Sequence, residues 1–237
     1  MFRLGRSLLL ITMVSTLACA QEVTLSAHVK VLDSERKTEA PRAENVVVWL
    51  TPMEGGPPPT QALKQPPRLI QHKKSFVPHV LVVRVGSVVQ FPNHDPFFHN
   101  VFSLFEGKRF DLGLYEAGTT KNVSFDRPGI SYIFCNIHAE MSAVVIALDT
   151  PYFAVSDRKG EIILPQIPVG KYIMHVWHET APQQSLEALT RELNVTDSSS
   201  SLGLIQVPAG PAVSAHKNKY GMDYETPAPD TPAYEHH

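Results

Sequence analysis

Ile130-Ser-Tyr-Ile-Phe-Cys135-Asn-Ile-His138-Ala-Glu-Met141-Ser-Ala-Val-Val-Ile-Ala-Leu148 is the stretch on which the reading of this chain turns. Its two flanks, 130–134 and 142–148, are rich in β-branched and aromatic residues and read as strands. Between them a thiol, an imidazole and a thioether follow one another three positions apart, in a loop short enough to bring Cys135, His138 and Met141 to one centre. All three are metal-ligand types. A fourth candidate stands upstream: His99 follows the Asn93-His-Asp-Pro-Phe-Phe turn and opens the run Val101-Phe-Ser-Leu-Phe105. His94, inside that Pro-flanked turn, competes for the same role. His99 is preferred because Asn100 follows it and it enters a strand.

Outward from this loop the β signals continue. Val80–Val85 and Val88–Phe91 flank Gly86-Ser87 and predict a hairpin, and Asn122–Phe125 precedes the Arg127-Pro-Gly129 turn. Nearer the start, Val23–Val31 alternates and Asn45–Leu50 is a β-rich run. The Gly55-Gly-Pro-Pro-Pro59 and Pro66-Pro67 clusters then predict a linker. After Thr150, the runs 152–155, 161–164 and 171–177 predict a separate small β module. Leu186, Leu189 and Leu193 fit helical spacing, but 193–195 and 202–207 fit a closing hairpin equally, and strands are preferred there. From Pro208 the chain is rich in Pro, Ala and charge and is expected to be mobile. The expected division is therefore a signal peptide over 1–20, N-terminal strands and linker over 21–67, a metal-binding sandwich over 68–149, a β module over 150–207 and a tail over 208–237. The fold class is all-β.

The 237 residues suffice for one large or two small cores. Their 21 Lys+Arg against 23 Asp+Glu leave a net charge of −2, which gives no nucleic-acid footprint. Arg3 and Arg6, the apolar run 8–14 and Ala18-Cys19-Ala20 have the order of a secretory leader, so export, most simply to a periplasm, is expected. Cleavage before Cys19, giving a lipoprotein, is the lesser alternative, since Thr16-Leu-Ala18 is a poor lipoprotein box. Loss of the leader would leave Cys135 as the single cysteine, unable to form an internal disulfide. In an oxidising compartment such a thiol calls for burial or a metal.

Two imidazoles, one thiolate and a weak thioether form the ligand set of a blue-copper electron-transfer site, with His99, Cys135 and His138 in the plane and Met141 axial. Thiolate and thioether suit copper(I) and imidazole suits both oxidation states, so such a site changes little when one electron enters. Cys135-x-x-His138-x-x-Met141 with His99-Asn100 upstream resembles the cupredoxins, the type 1 copper proteins of the amicyanin and plastocyanin kind, and its short loop is most similar to the amicyanins. Phe76-Val-Pro78, Val85-Gly-Ser-Val88 and Phe91-Pro-Asn93 resemble the family's early strands. The resemblance implies a Greek-key β-sandwich over roughly 75–149 that carries single electrons outside the cytoplasm. It implies that Asn100 ties the two ligand loops together, that His138 is the solvent-facing edge, and that a c-type cytochrome or a periplasmic dehydrogenase is the redox partner. Tyr152–His178 is similar to transthyretin-type, carboxypeptidase regulatory-like modules, which implies docking or packing rather than catalysis.

Other chemistries lack their residues. A binuclear copper centre needs two bridging cysteines, c-type haem attachment needs C-x-x-C-H, and a trinuclear oxidase site needs His-x-His pairs; the mature chain has none of these. Hydrolytic zinc needs an open water position, which this closed donor set does not offer. The protein is expected not to be an enzyme, and the competing function is a β-sandwich interaction protein that copper merely stabilises. His79, His175 and His178 read as structural or surface residues, and His216, Met222, His236 and His237 as parts of a polar tail that could take up copper loosely. Phe97, Phe98, Phe102 and Phe134 read as packing residues that also keep water from the site.

Overall fold

The computed structural model describes residues 21–33, 38–39, 43–55, 65–104, 107–210 and 216–224. The expected leader, the central part of the expected linker (56–64) and His236 and His237 lie outside the described residues. Those described are almost entirely β, with one short helix.

The alternating segment near the start becomes β1 (Glu22–Asp33), which buries Leu25, Ala27, Val29 and Val31 and leaves the residues between them more exposed. β2 (Thr38–Glu39) pairs with its end. β3 (Val47–Pro52) sends Val48 and Leu50 into one core and Val47 and Trp49 into another, which is why its sequence is apolar without alternation. Then come β4 (Ile70–His72), β5 (Ser75–Val77), β6 (Val80–Arg84), β7 (Ser87–Pro92), β8 (His99–Ser103), β9 (Phe110–Tyr115), β10 (Thr120–Phe125), β11 (Gly129–Cys135) and β12 (Ser142–Leu148). The remaining elements are β13 (Phe153–Val155), β14 (Glu161–Pro168), β15 (Gly170–Trp177), α1 (Gln183–Leu189), β16 (Arg191–Val195) and β17 (Ser201–Ala209).

One sandwich holds the candidate ligands. Its larger sheet has the order β6-β12-β11-β8-β9, with β6 parallel to β12 and the other neighbours antiparallel. The β7–β10 pair supplies the opposing layer, and Phe91, Phe125, Val101, Ile133 and Val145 meet between them. β6 and β7 do not form the expected hairpin. Val85 N–H still bonds to Leu148 in the first sheet, whereas Gly86 N–H bonds to Phe125 in the second. The chain changes sheets at Gly86, whose φ of 89° suits glycine. A hairpin turn and a sheet-to-sheet crossing ask for the same residues, so the pattern alone could not separate them.

The other sandwich corrects the expected division of the chain. Its sheets have the orders β14-β1-β17 and β13-β3-β15-β16, so strands from before the linker sit between strands from after Thr150. Segment 150–207 therefore does not close a sandwich by itself. Alternation shows which face of a strand is buried but carries no address for a distant neighbour. Leu25, Val29, Leu50, Ile162, Leu164, Val176 and Val207 fill this core. Residues 183–189 are helical after all, with Leu186 buried, and only 191–195 is extended. β16 and β17 do not pair with each other: β16 lies on β15, and β17 runs parallel to β1.

A third apolar cluster joins the two sandwiches. β12 contributes Val144, Ile146 and Leu148 to it, facing Val47, Trp177 and Leu186, while Ala143, Val145 and Ala147 face the core beneath the candidate ligands. Burial of both faces accounts for the unbroken run Ala-Val-Val-Ile-Ala-Leu that ends at Leu148. The strand leaving the ligand loop is thus clamped on both sides.

Candidate metal centre

β11 and β12 pair from Gly129↔Ala147 to Phe134↔Ser142, and residues 136–141 form the loop between Cys135, the last residue of β11, and β12. Cys135 N–H donates to Met141 O (3.1 Å) and Met141 N–H donates to His138 O (3.1 Å), which closes the loop on itself. Asn136 N–H donates to Asn100 O (3.2 Å), tying the loop to β8, where Cys135 is paired with Val101. His99 is the first residue of β8, so the pairing brings it to the same end of the sheet.

The result is a convergence of donor atoms. Cys135 Sγ lies 3.6 Å from His99 Nδ1 and 3.5 Å from His138 Nδ1, and the three atoms all lie within 4.8 Å of one another. Cys135 is a free, buried thiol; His99 is also buried and His138 is half-buried. Met141 is buried in the same core as Cys135. His94, by contrast, is exposed and takes no part in the group.

Asp95 was not anticipated. Its carboxylate accepts the N–H of Lys73 (2.5 Å) and of Lys74 (2.9 Å), and it lies 2.9 Å from His99 Nε2. Lys73 and Lys74, with φ of 53° and 56°, form the tight turn between β4 and β5, so both amides point the same way. Asn93, fully buried, holds this loop through Asp95 N–H to its Oδ1 (3.0 Å) and its own Nδ2 to Phe97 O (2.8 Å). Burial opposes ionisation of Asp95, but the bonds from Lys74, His99 and Lys73 outweigh it and hold the carboxyl below the usual range. With His99 Nε2–H donating to that carboxylate, the Nδ1 lone pair is the one that faces Cys135.

The surroundings of both imidazoles disfavour their protonated forms, which suits ligation. Burial lowers the pKa of His99 despite Asp95, and burial together with the neighbouring His99 and Lys74 brings His138 down to about 4. The ring of Phe97 lies 5.2 Å from that of His99 and 5.8 Å from that of His138, walling the site on one side. Phe102 is buried against Phe134 at 5.9 Å, while Phe98 is largely exposed. Asn100 links the loops through its backbone carbonyl; its side-chain Nδ2 instead donates to Asp111 Oδ1 (2.7 Å).

The remaining histidines among the described residues stand apart from this group. His175 stacks on Trp49 at 4.9 Å, His178 Nδ1 lies 3.3 Å from Thr180 Oγ1, and His79 Nε2 lies 2.6 Å from Glu179. His216 packs on Phe134 with ring centroids 4.2 Å apart, so part of the expected mobile tail is ordered against the ligand loop. Asp95 could have been found as a carboxylate in the turn between two histidines. The segment around His216 does carry a turn signature, Asn218-Lys-Tyr-Gly221, although nothing in it names its docking site.

No family model and no curated protein matches the sequence. Among solved structures, a copper-containing nitrite reductase from Thermus scotoductus SA-01 is similar over 41% of this chain, with 24% identity and a TM-score of 0.35; the chain spans only 25% of that protein. A purple cupredoxin from Nitrosopumilus maritimus is similar over 35% of this chain and 99% of its own, with 21% identity and a TM-score of 0.32. An oxidised variant of amicyanin is similar over 37% of this chain and 87% of its own, with 18% identity and a TM-score of 0.34.

Proposed function

We propose that this chain is an exported type 1 copper protein that carries single electrons between redox partners, and that His99, Cys135 and His138, with Met141 as a weak fourth donor, would hold the copper. The observation that carries this reading is the convergence of two imidazole Nδ1 atoms and one buried thiol sulfur within 4.8 Å. One thiolate with two imidazoles, and a thioether buried in the same core, suits copper in either oxidation state.

When bound, copper supplies reversible uptake and release of one electron. The chain's own residues do the rest. Asp95 fixes the His99 ring and its tautomer, while the Asn136–Asn100 bond and the β11–β12 ladder hold Cys135 in place. Donor atoms held this way move little between oxidation states, which favours fast transfer. His99 and Cys135 are inaccessible, so the half-buried His138 offers the short path to solvent and to a partner. A c-type cytochrome or a periplasmic dehydrogenase would suit that edge. No helix among the described residues is long and apolar enough to cross a membrane.

The test is the visible spectrum of the purified chain with one equivalent of copper(II), before and after ascorbate. An intense blue or purple thiolate-to-copper band that bleaches and returns on reoxidation is the expected result. Copper that binds without such a band overturns the ligand assignment, and a band that never cycles overturns the carrier role.

A further inference from the structure

Residues 216–224 form a small closed unit. Asn218 N–H donates to Met222 O (2.9 Å), Gly221 N–H donates to Asn218 O (2.9 Å), and Asn218 Oδ1 accepts the N–H of both Tyr220 and Met222 at 3.0 Å. Gly221, with φ of 77°, makes the turn possible. This unit follows β17 in the chain, yet its contacts fall on the opposite sandwich, at the ligand loop.

Those contacts are concentrated on residues that flank the candidate ligands. Tyr224 OH donates to Cys135 O (2.5 Å) and lies 3.2 Å from His216 Nδ1. The His216 ring covers Phe134, and Lys219 N–H donates to Asn136 Oδ1 (2.9 Å). Lys219 Nζ pairs with Asp111 Oδ2 at 2.8 Å, and the other oxygen of Asp111 accepts the Asn100 amide beside His99. Residues 134, 135 and 136 are thus each held by a different group of the same segment. The Cys135 carbonyl stands at the end of β11, where the ladder runs out; a buried carbonyl there needs a partner, and Tyr224 provides it.

We propose that segment 216–224 is a strap that holds Cys135 and Asn136 in their ligating position, with Tyr224 and Lys219 as positioning residues that slow the opening of the loop. The proposal rests on the copper reading for its consequence, which is slow metal release, but not for its geometry. With the strap in place, the loop opens only when the Tyr224–Cys135 and Lys219–Asn136 bonds break together. Losing one hydrogen bond of ordinary net strength raises the open population roughly three- to tenfold. A thiol that is reached only through loop opening reports that population directly.

The experiment uses the full chain with Cys19→Ala, so that Cys135 is the single thiol, and compares Tyr224→Phe, Lys219→Met and Lys219→Arg. In the metal-free protein, the rate at which an aromatic disulfide reagent modifies Cys135 is expected to rise roughly three- to tenfold in Tyr224→Phe. It should rise less in Lys219→Met, which keeps its backbone bond to Asn136, and return toward the parent rate in Lys219→Arg, with the loss of global stability in each variant no larger than the rate change itself accounts for. In the copper-loaded protein, transfer of copper to a chelator should accelerate in the same order. Parental rates in both Tyr224→Phe and Lys219→Met overturn the proposal. So does a thiol rate that Leu164→Ala, a core substitution in the other sandwich, raises as much as Tyr224→Phe does, because exposure of Cys135 would then follow unfolding of the whole chain and not opening of the loop. A parent chain that shows no thiolate-to-copper band overturns the copper reading instead, while the thiol rates still decide the strap.

Discussion

The two sandwiches share an architecture and differ in what they bury. In the one built around β1, β3 and β15 the core is mostly aliphatic, with Tyr172 and Met174 among it, and the buried polar side chains near it are Thr150 and Ser156, which bond to Leu50 O and to Ala43 O and Val46 N–H. The one built around β11 and β12 buries Gln71, Asn93, Asp95, His99, Asn100, Ser103 and Ser131, most of them at the ligand end. Burying a polar group is costly unless its bonds are replaced, so apolar packing alone would not select such a cluster. The contrast separates a sandwich whose residues serve the fold from one in which part of the fold serves a site.

The widest way to break this comparison is Cys135→Ser. It should abolish the visible band altogether while leaving a folded protein, because a serine hydroxyl fits the space but is no thiolate; absorption together with copper content checks it. Leu164→Ala tests the other side. Loss of a fully buried leucine should cost about 2–5 kcal/mol in denaturant unfolding, with the spectrum of the copper-loaded protein unchanged below the transition. A shifted band would show that the aliphatic sandwich shapes the site after all.

Two substitutions sharpen the picture within the site. Asp95→Asn removes the negative charge behind His99 that favours copper(II), so the reduction potential should rise, on the order of 50 mV by voltammetry. Met141→Leu should keep copper and also raise the potential, since an axial donor is lost. A potential unmoved by Met141→Leu would remove Met141 from the ligand set.

The smallest effect concerns the joint between the sandwiches. His79 and Glu179 lie 2.6 Å apart across it, and the hydrogen bond to Glu179 raises the His79 pKa above its ordinary 6.5, with burial opposing. A raised folded pKa means that the contribution is fully present below pH 6.5 and lost as pH climbs through the folded value. The side chains are 38% and 22% exposed, so solvent screens the pair and the shift in melting temperature should be modest. Glu179→Gln should flatten the fall in stability across that window; an unchanged slope would show that the pair does not couple the halves.

Much of the candidate site was legible because its chemistry is local. Cys135, His138 and Met141 sit in one loop between two evident strands, and Asn100 after His99 favoured the histidine whose ring nitrogen lies beside the Cys135 sulfur. Asp95 escaped notice because a carboxylate in a Pro-containing turn usually caps the turn. Its role depends on the Lys73 and Lys74 amides, which arrive from a different hairpin. The pairing of β1 with β14 and β17 was illegible for a related reason: burial patterns repeat in every strand, so they cannot tell one long-range partner from another. Tyr224 combined both difficulties, lying far along the chain in a segment with a tail's composition.

The pairing of β3 with β13 has a consequence for how the chain assembles. Trp49 and Phe153 are neighbours across that ladder, so residues between them, the whole ligand-bearing sandwich included, occupy the place of a hairpin loop. Closing so long an uncollapsed loop is slow, because contacts distant in sequence must meet before any are rewarded. If the enclosed sandwich condenses first, it brings both ends of the break together and turns a distant encounter into a near one. The enclosed part is then the nucleus and the enclosing one the late arrival. Mutations in the Phe91–Ile133 core should therefore slow refolding of the entire chain, whereas those around Leu164 should chiefly hasten its unfolding.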